Sequence, residues 1–157
     1  MIESAKEFVA LRVSDDPVEQ QRASHDEADV AVWREVVAGY PEMRKWVAYN
    51  KTIPLEVLKE LASDPDPRVR STVAGKRKLD VDTLDLLASD SDDSVRATVA
   101  RHRRASLSLL AALRTDDSWV VRQAAEESLR LRHPSSSEPP TRDLPLAPGD
   151  SPSPELQ

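Results

Sequence analysis

Apolar residues recur along this chain in short helical stripes, interrupted at regular intervals by polar turns. Leu55, Leu58, Leu61 and Ala62 fall at i, i+3, i+6 and i+7, the spacing of one helix face. The run Ser63-Asp64-Pro65-Asp66-Pro67 then ends that helix, because proline removes a donor and restricts the residue before it. A second helix is predicted from Pro67, with Asp66 as N-cap and Val69, Val73 and Ala74 as its buried stripe. Helices of two to three turns are marginal alone in water, so stacking on neighbours must hold them.

The same pattern returns every 26 residues: segments 47–72, 73–98 and 99–124 align without a gap. Val47-Ala48, Val73-Ala74 and Val99-Ala100 share a column pair; Leu58, Leu84 and Leu110 share another, as do Leu61, Leu87 and Leu113. Asp64, Asp90 and Asp116 align, and so do Arg70, Arg96 and Arg122. Asp92 and Ser118 stand in the cap column of Asp66. A fixed period of this length is the signature of a repeat architecture. The expected fold is all-α: a short right-handed α-solenoid of stacked two-helix repeats.

Upstream the period decays. Pro41, Met43 and Arg44 precede Pro67, Val69 and Arg70 by one period, and Val32 and Val36 supply an earlier stripe. Phe8, Val9 and Val13 before Ser14-Asp15-Asp16-Pro17 suggest a degenerate unit, as terminal repeats often are. The expected organisation is degenerate helical units over 1–40, regular repeats with a capping helix over 41–132, and a disordered tail over 133–157. That tail holds seven of the twelve prolines, many serines and few large apolar residues.

The unit from Val47 to Arg70 resembles the leucine-rich repeat variant, a short relative of HEAT-type helical repeats. The resemblance covers roughly residues 41–130. It implies an armadillo-like stack and a structural ladder in which a turn aspartate pairs with an arginine six residues later: Asp64 with Arg70, Asp90 with Arg96, and Asp116 with Arg122. Asp16 with Arg22 would be a further rung, whereas Ala38 stands where the aspartate would be, so Arg44 either lacks its partner or reaches elsewhere. Some members of the variant family hold an iron–sulfur cluster through cysteines; this chain has none, so that role is excluded.

Composition narrows the chemistry. Without cysteine there is no disulfide, thiolate nucleophile or thiolate-bound metal, and three glycines leave no phosphate-cradling loop. His25, His102 and His133 are far apart with no metal spacing, and no Gly-x-Ser-x-Gly elbow occurs. No cofactor, no metal and no catalytic residue are expected, so the chain does not read as an enzyme. The N-terminus lacks a secretory signal and no stretch reaches membrane-spanning length, so a cytoplasmic protein with no membrane partner is expected.

Two surfaces remain as candidates. The aromatics Trp33, Tyr40, Trp46 and Tyr49 fall within a short span, and Trp46 and Tyr49 lie in columns off the buried stripe. They serve either as interface anchors on a concave face or as core filler against irregular N-terminal helices. The first reading makes the protein a non-catalytic scaffold for a protein or peptide, centred on Glu42, Lys45, Trp46, Tyr49, Arg68, Ser71 and Thr72. Trp119, in the column of Pro67 and Asp93, is a rim position.

The second surface is basic: Lys51, then Lys76-Arg77-Lys78, then Arg101, Arg103 and Arg104 follow the second helix of successive units. These cations either complement helix C-termini or form an edge for nucleic acid, phosphate or an acidic partner. A net charge of −6 and the lack of interleaved aromatics weigh against nucleic acid. Small size and acidity also admit an inhibitor or immunity protein for a basic partner. A monomer or weak dimer is expected.

Overall fold

A computed structural model of the chain describes residues 1–132, and the Pro/Ser-rich segment 133–157 lies outside the described residues. The described part is all-helical, with one isolated bridge between Ile2 and Ala28. In chain order come α1 (Ala5–Val13), α2 (Pro17–His25), α3 (Val30–Gly39), a 3-10 turn (Pro41–Met43) running into α4 (Arg44–Tyr49), α5 (Leu55–Leu61), α6 (Pro67–Ala74), α7 (Val81–Ala88), α8 (Asp93–Ala100), α9 (Leu107–Leu113) and α10 (Trp119–Arg132).

Local chemistry sets the boundaries. Asp16, Asp66 and Asp92 each accept the N–H two residues on, at 2.8, 2.8 and 2.9 Å, capping α2, α6 and α8. Pro17 and Pro67 sit at the first helical position, where the missing N–H is no loss. Ser118 departs from this column: its hydroxyl donates to Asp93 at 2.8 Å, a charge-assisted bond, and takes no cap N–H among the described residues.

Packing follows the repeat. Each helix of the series α4, α6, α8, α10 rests on the next, and α5, α7 and α9 lie against α6, α8 and α10 or their neighbours. Contacts among α3, α5, α7 and α9 are sparser. Leu58, Leu84 and Leu110, with Leu61, Leu87 and Leu113, are buried between the two rows, as are Val69, Val95 and Val121. Leu55 is only half-buried and its equivalents Val81 and Leu107 are about half exposed (46% and 48%); the buried column is Val57, Thr83 and, partly, Leu109. The Leu55 column opens each helix, one turn away from the second-helix row, so its side chains reach the edge of the core instead of its middle.

At the N-terminal end α1 packs on α2 and α3 through Phe8, Leu11, Trp33 and Val36. Phe8 and Trp33 meet edge to face with centroids 5.2 Å apart. Val13, placed in the apolar stripe by spacing, is exposed at the end of α1.

Candidate functional site

Two hydrogen-bond ladders tie consecutive units together, and what they leave over defines the candidate surfaces. The first ladder uses the aligned Asp and Arg columns. Arg70 donates from Nε and Nη2 to both carboxylate oxygens of Asp90, one unit on, at 2.7 and 2.8 Å. Its Nη1 donates to the main-chain oxygen of Asp64 in its own unit at 2.7 Å. Arg96 repeats this with Asp116 (2.8 and 2.9 Å) and the Asp90 carbonyl (2.8 Å). The six-residue pairing of Asp64 with Arg70, Asp90 with Arg96 and Asp116 with Arg122 is therefore made through a backbone carbonyl, while the carboxylate is gripped by the arginine of the preceding unit. Extending from its helix toward the next layer, the guanidinium reaches both at once, which a planar fork allows.

Arg44, with Ala38 in the aspartate column of its own unit, reaches elsewhere, to Asp64 at 3.6 Å and the Val37 carbonyl at 2.8 Å. Arg22 pairs with Asp26 and Glu7 and not with Asp16, whose carboxylate caps α2, so the ladder begins at Arg44. Arg122 closes the series: it donates to the carbonyls of Asp116 and Asp117, with no carboxylate partner among the described residues. Each ladder carboxylate also accepts an N–H two residues on, orienting the turn before the second helix. Hydrogen bonding from Arg70 holds Asp90 below the usual carboxylate range, and Arg96 does the same for Asp116.

A second ladder runs through the loops after the second helices, where sequence showed no common residue. Asn50, Lys76 and His102 share one column and sit buried or half-buried. Asn50 donates to the carbonyls of Ala23 and Asp26, at 2.9 and 3.0 Å. Lys76 donates to those of Tyr49 and Asn50, at 2.9 and 2.7 Å. His102 Nε2 lies 3.0 Å from the Lys76 carbonyl, and its Nδ1 accepts the Arg104 N–H at 3.1 Å, which assigns the Nε2–H neutral tautomer. Ser128, one period further, donates to the Ala100 carbonyl at 2.7 Å. Each side chain thus satisfies a carbonyl one layer back.

Burial, with Lys78 and Lys51 nearby, pushes the Lys76 ammonium down to about 8. Burial likewise pushes His102 down, helped by Arg104 and Arg103.

The basic edge therefore divides. Lys76 belongs to this ladder; Lys78 donates to the Ile53 carbonyl and Arg104 to that of Leu79 at 2.7 Å. Each of these three spends a donor on a carbonyl of the layer behind it, although Lys78 and Arg104 remain exposed. By contrast Arg77 and Arg103 are exposed with no side-chain hydrogen bond or ion pair among the described residues. Lys51 reaches only His25 Nε2, at 2.8 Å, and Arg101 only the Ala97 carbonyl, at 3.5 Å.

The aromatic residues also separate. Trp33 is sealed in the core and Tyr40 is half-buried. Trp46 is half-buried; the Arg12 guanidinium carbon stands 3.4 Å from its ring centroid, with Lys45 at 5.9 Å. Tyr49 is 54% exposed and meets Trp46 edge-on, 6.1 Å between centroids. Further along the row, Arg68 is exposed but forked onto Asp66, Ser71 bonds Thr98 across the layers at 3.1 Å, and Thr72 bonds back to the Arg68 carbonyl. Glu42 and Lys45 are exposed at the start of the row.

Among the described residues, no group of three or more His, Asp or Glu is placed to hold a metal ion, and no helix is long and apolar enough to cross a membrane. Comparison with protein-family models, curated proteins and solved structures finds no match to this chain.

Proposed function

We propose that the chain is a short right-handed α-solenoid, akin to leucine-rich-repeat-variant and HEAT repeats, acting as a non-catalytic scaffold for a protein or peptide partner. Close packing along α4, α6, α8 and α10, against sparser contacts among the first helices, supports a curve with the second helices on its inner side. The turn carboxylates support a non-enzymatic reading, because Asp64, Asp66, Asp90, Asp92 and Asp116 are occupied with capping and ladder bonds.

The observation that carries the binding role is the aromatic platform. Tyr49 meets Trp46 edge-on, and the Arg12 guanidinium stacks on the Trp46 ring. An exposed ring on a rigid backing gives large contact area at little entropic loss, the usual anatomy of an interface anchor. A photo-crosslinking side chain placed at Tyr49 or Ser71 should yield a discrete partner adduct in cells. The same group at Asp85 or Leu86, on an outward helix face, should not. Adducts from Asp85 or Leu86 with none from Tyr49 or Ser71 would overturn the reading.

A further inference from the structure

The free cations border two adjoining hollows that together make one groove. A hollow of about 520 Å3 is lined by Lys51, Gly75, Lys76, Arg77 and Lys78, and one of about 480 Å3 by Gly75, Arg77, Thr98, Arg101, His102 and Arg103. They share Gly75 and Arg77. Tyr49, Gly75 and Arg101 occupy one column, as do Lys51, Arg77 and Arg103. We propose that this groove binds an extended acidic peptide whose carboxylates, three residues apart, meet Lys51, Arg77 and Arg103 in successive layers. The proposal rests on the scaffold reading and names the chemistry of its partner.

Charge supplies the first support. In a chain of net charge −6, the side chains of Arg77 and Arg103 face no carboxylate among the described residues, while the ladder arginines Arg70 and Arg96 each grip one. The capping carboxylates stand at the opposite ends of the same helices, at Asp66 and Asp92. Like charges lined up without compensation disfavour the free protein and favour any anion that fills the row.

Gly75 supplies the second. Its backbone is ordinary right-handed helical (φ −78°, ψ −4°), and an added Cβ would meet nothing closer than 3.6 Å. Neither conformation nor packing requires glycine here. A side chain there would enter the space that both hollows share, since Gly75 lines each of them.

Spacing supplies the third. Packed helices lie about 8–10 Å apart, and a chain extended as polyproline II advances about 3.1 Å per residue with three residues per turn, so every third side chain returns to one face about one layer on. The cations form a single file across three layers, about 20 Å long by that measure. A short acidic peptide matches that length, whereas a long polyanion would also meet the acidic bulk of the chain.

Fluorescence anisotropy on the full-length protein tests this with labelled peptides carrying three aspartates at every third position. A composition-matched peptide with contiguous aspartates, its asparagine counterpart and a 12-nucleotide oligothymidylate serve as comparisons. The periodic peptide should bind at least tenfold tighter than the contiguous one. Arg77→Glu, Arg103→Glu and Gly75→Glu should each weaken it tenfold or more with melting temperature unchanged. Equal affinity for both acidic peptides, no binding, insensitivity to these substitutions, or tighter binding of the oligonucleotide would each overturn the proposal. If Tyr49 and Ser71 still cross-link a partner while the peptide fails, the scaffold stands and its acidic ligand falls; if cross-linking fails too, both fall.

Discussion

Replacing His102 separates a structural role for the basic loop from a merely permissive one. In His102→Ala, the Lys76 carbonyl keeps only the Leu79 N–H, and the Arg104 N–H loses its acceptor. An abandoned donor that is only partly buried, as the Arg104 N–H is, costs about 1 kcal/mol, and a lost neutral hydrogen bond costs about 0.5–1.5 kcal/mol. With the cavity left by the ring, the sum is about 2–4 kcal/mol. For a domain of this size that lowers the melting temperature by roughly 10 °C. His102→Asn should recover most of the loss. Asn50 in the same column already donates one layer back and accepts the N–H two residues on, at 2.8 Å from Thr52.

The histidine adds a pH signature. Its pKa is depressed in the folded state, so the unfolded chain takes up the proton first. Stability is then full above about 6.5 and falls as pH drops below that value. Urea unfolding of wild type, His102→Ala and His102→Asn at pH 7.5 and 5.5 reads both effects. A His102→Ala protein within about 0.5 kcal/mol of wild type, or a His102→Asn protein as weak as the alanine variant, refutes the reasoning.

Three further outcomes follow from the same geometry. Asp90→Ala strands the largely buried Arg70 guanidinium and should cost about 3 kcal/mol; a double-mutant cycle with Arg70→Met should return a coupling above about 1 kcal/mol, and additivity would count against the ladder. Because Asp90 and Asp116 are both lowered, their contribution is complete above about 3.8 and is lost as pH falls below it, visible as a steep acid limb in an unfolding series. Lys76, at about 8 against an ordinary 10.5, gives a slope of the same sign at higher pH: stability should rise between those two values as the folded form sheds its proton first. Lys76→Asn should flatten that rise, and an identical pH curve for variant and wild type would contradict the burial of the ammonium.

The helices and their period were legible because apolar columns, caps and prolines repeat as residue types. The Asp and Arg columns were legible as columns, but not as partners. A spacing of six within a unit and of twenty across units describes the same residues, and only the direction of the guanidinium decides which oxygen it meets. The column of Asn50, Lys76 and His102 was hidden for a different reason. Its members share a task, donating to a loop carbonyl one layer back, and three chemically different side chains can perform it. A neighbouring pair such as Arg103 and Arg104 is likewise inseparable in sequence, since one residue of loop turn aims the second at Leu79 and leaves the first in solvent. The N-terminal aromatics could be read either way, as anchors or as core filler, and Trp33 falls on the core side because it meets Phe8 of α1, a contact no local spacing announces.

That neighbouring pair gives the sharpest test of whether the loop cations divide into those that bind layers together and those left for a ligand. Arg103→Ala and Arg104→Ala remove the same charge at adjacent positions, and chemical denaturation measures each against wild type. Arg104→Ala should cost about 1.5–3 kcal/mol through its bond to the Leu79 carbonyl, and Arg103→Ala should stay within about 0.5 kcal/mol of wild type. Equal losses, or a larger one at Arg103, would contradict the division and with it the groove built upon it.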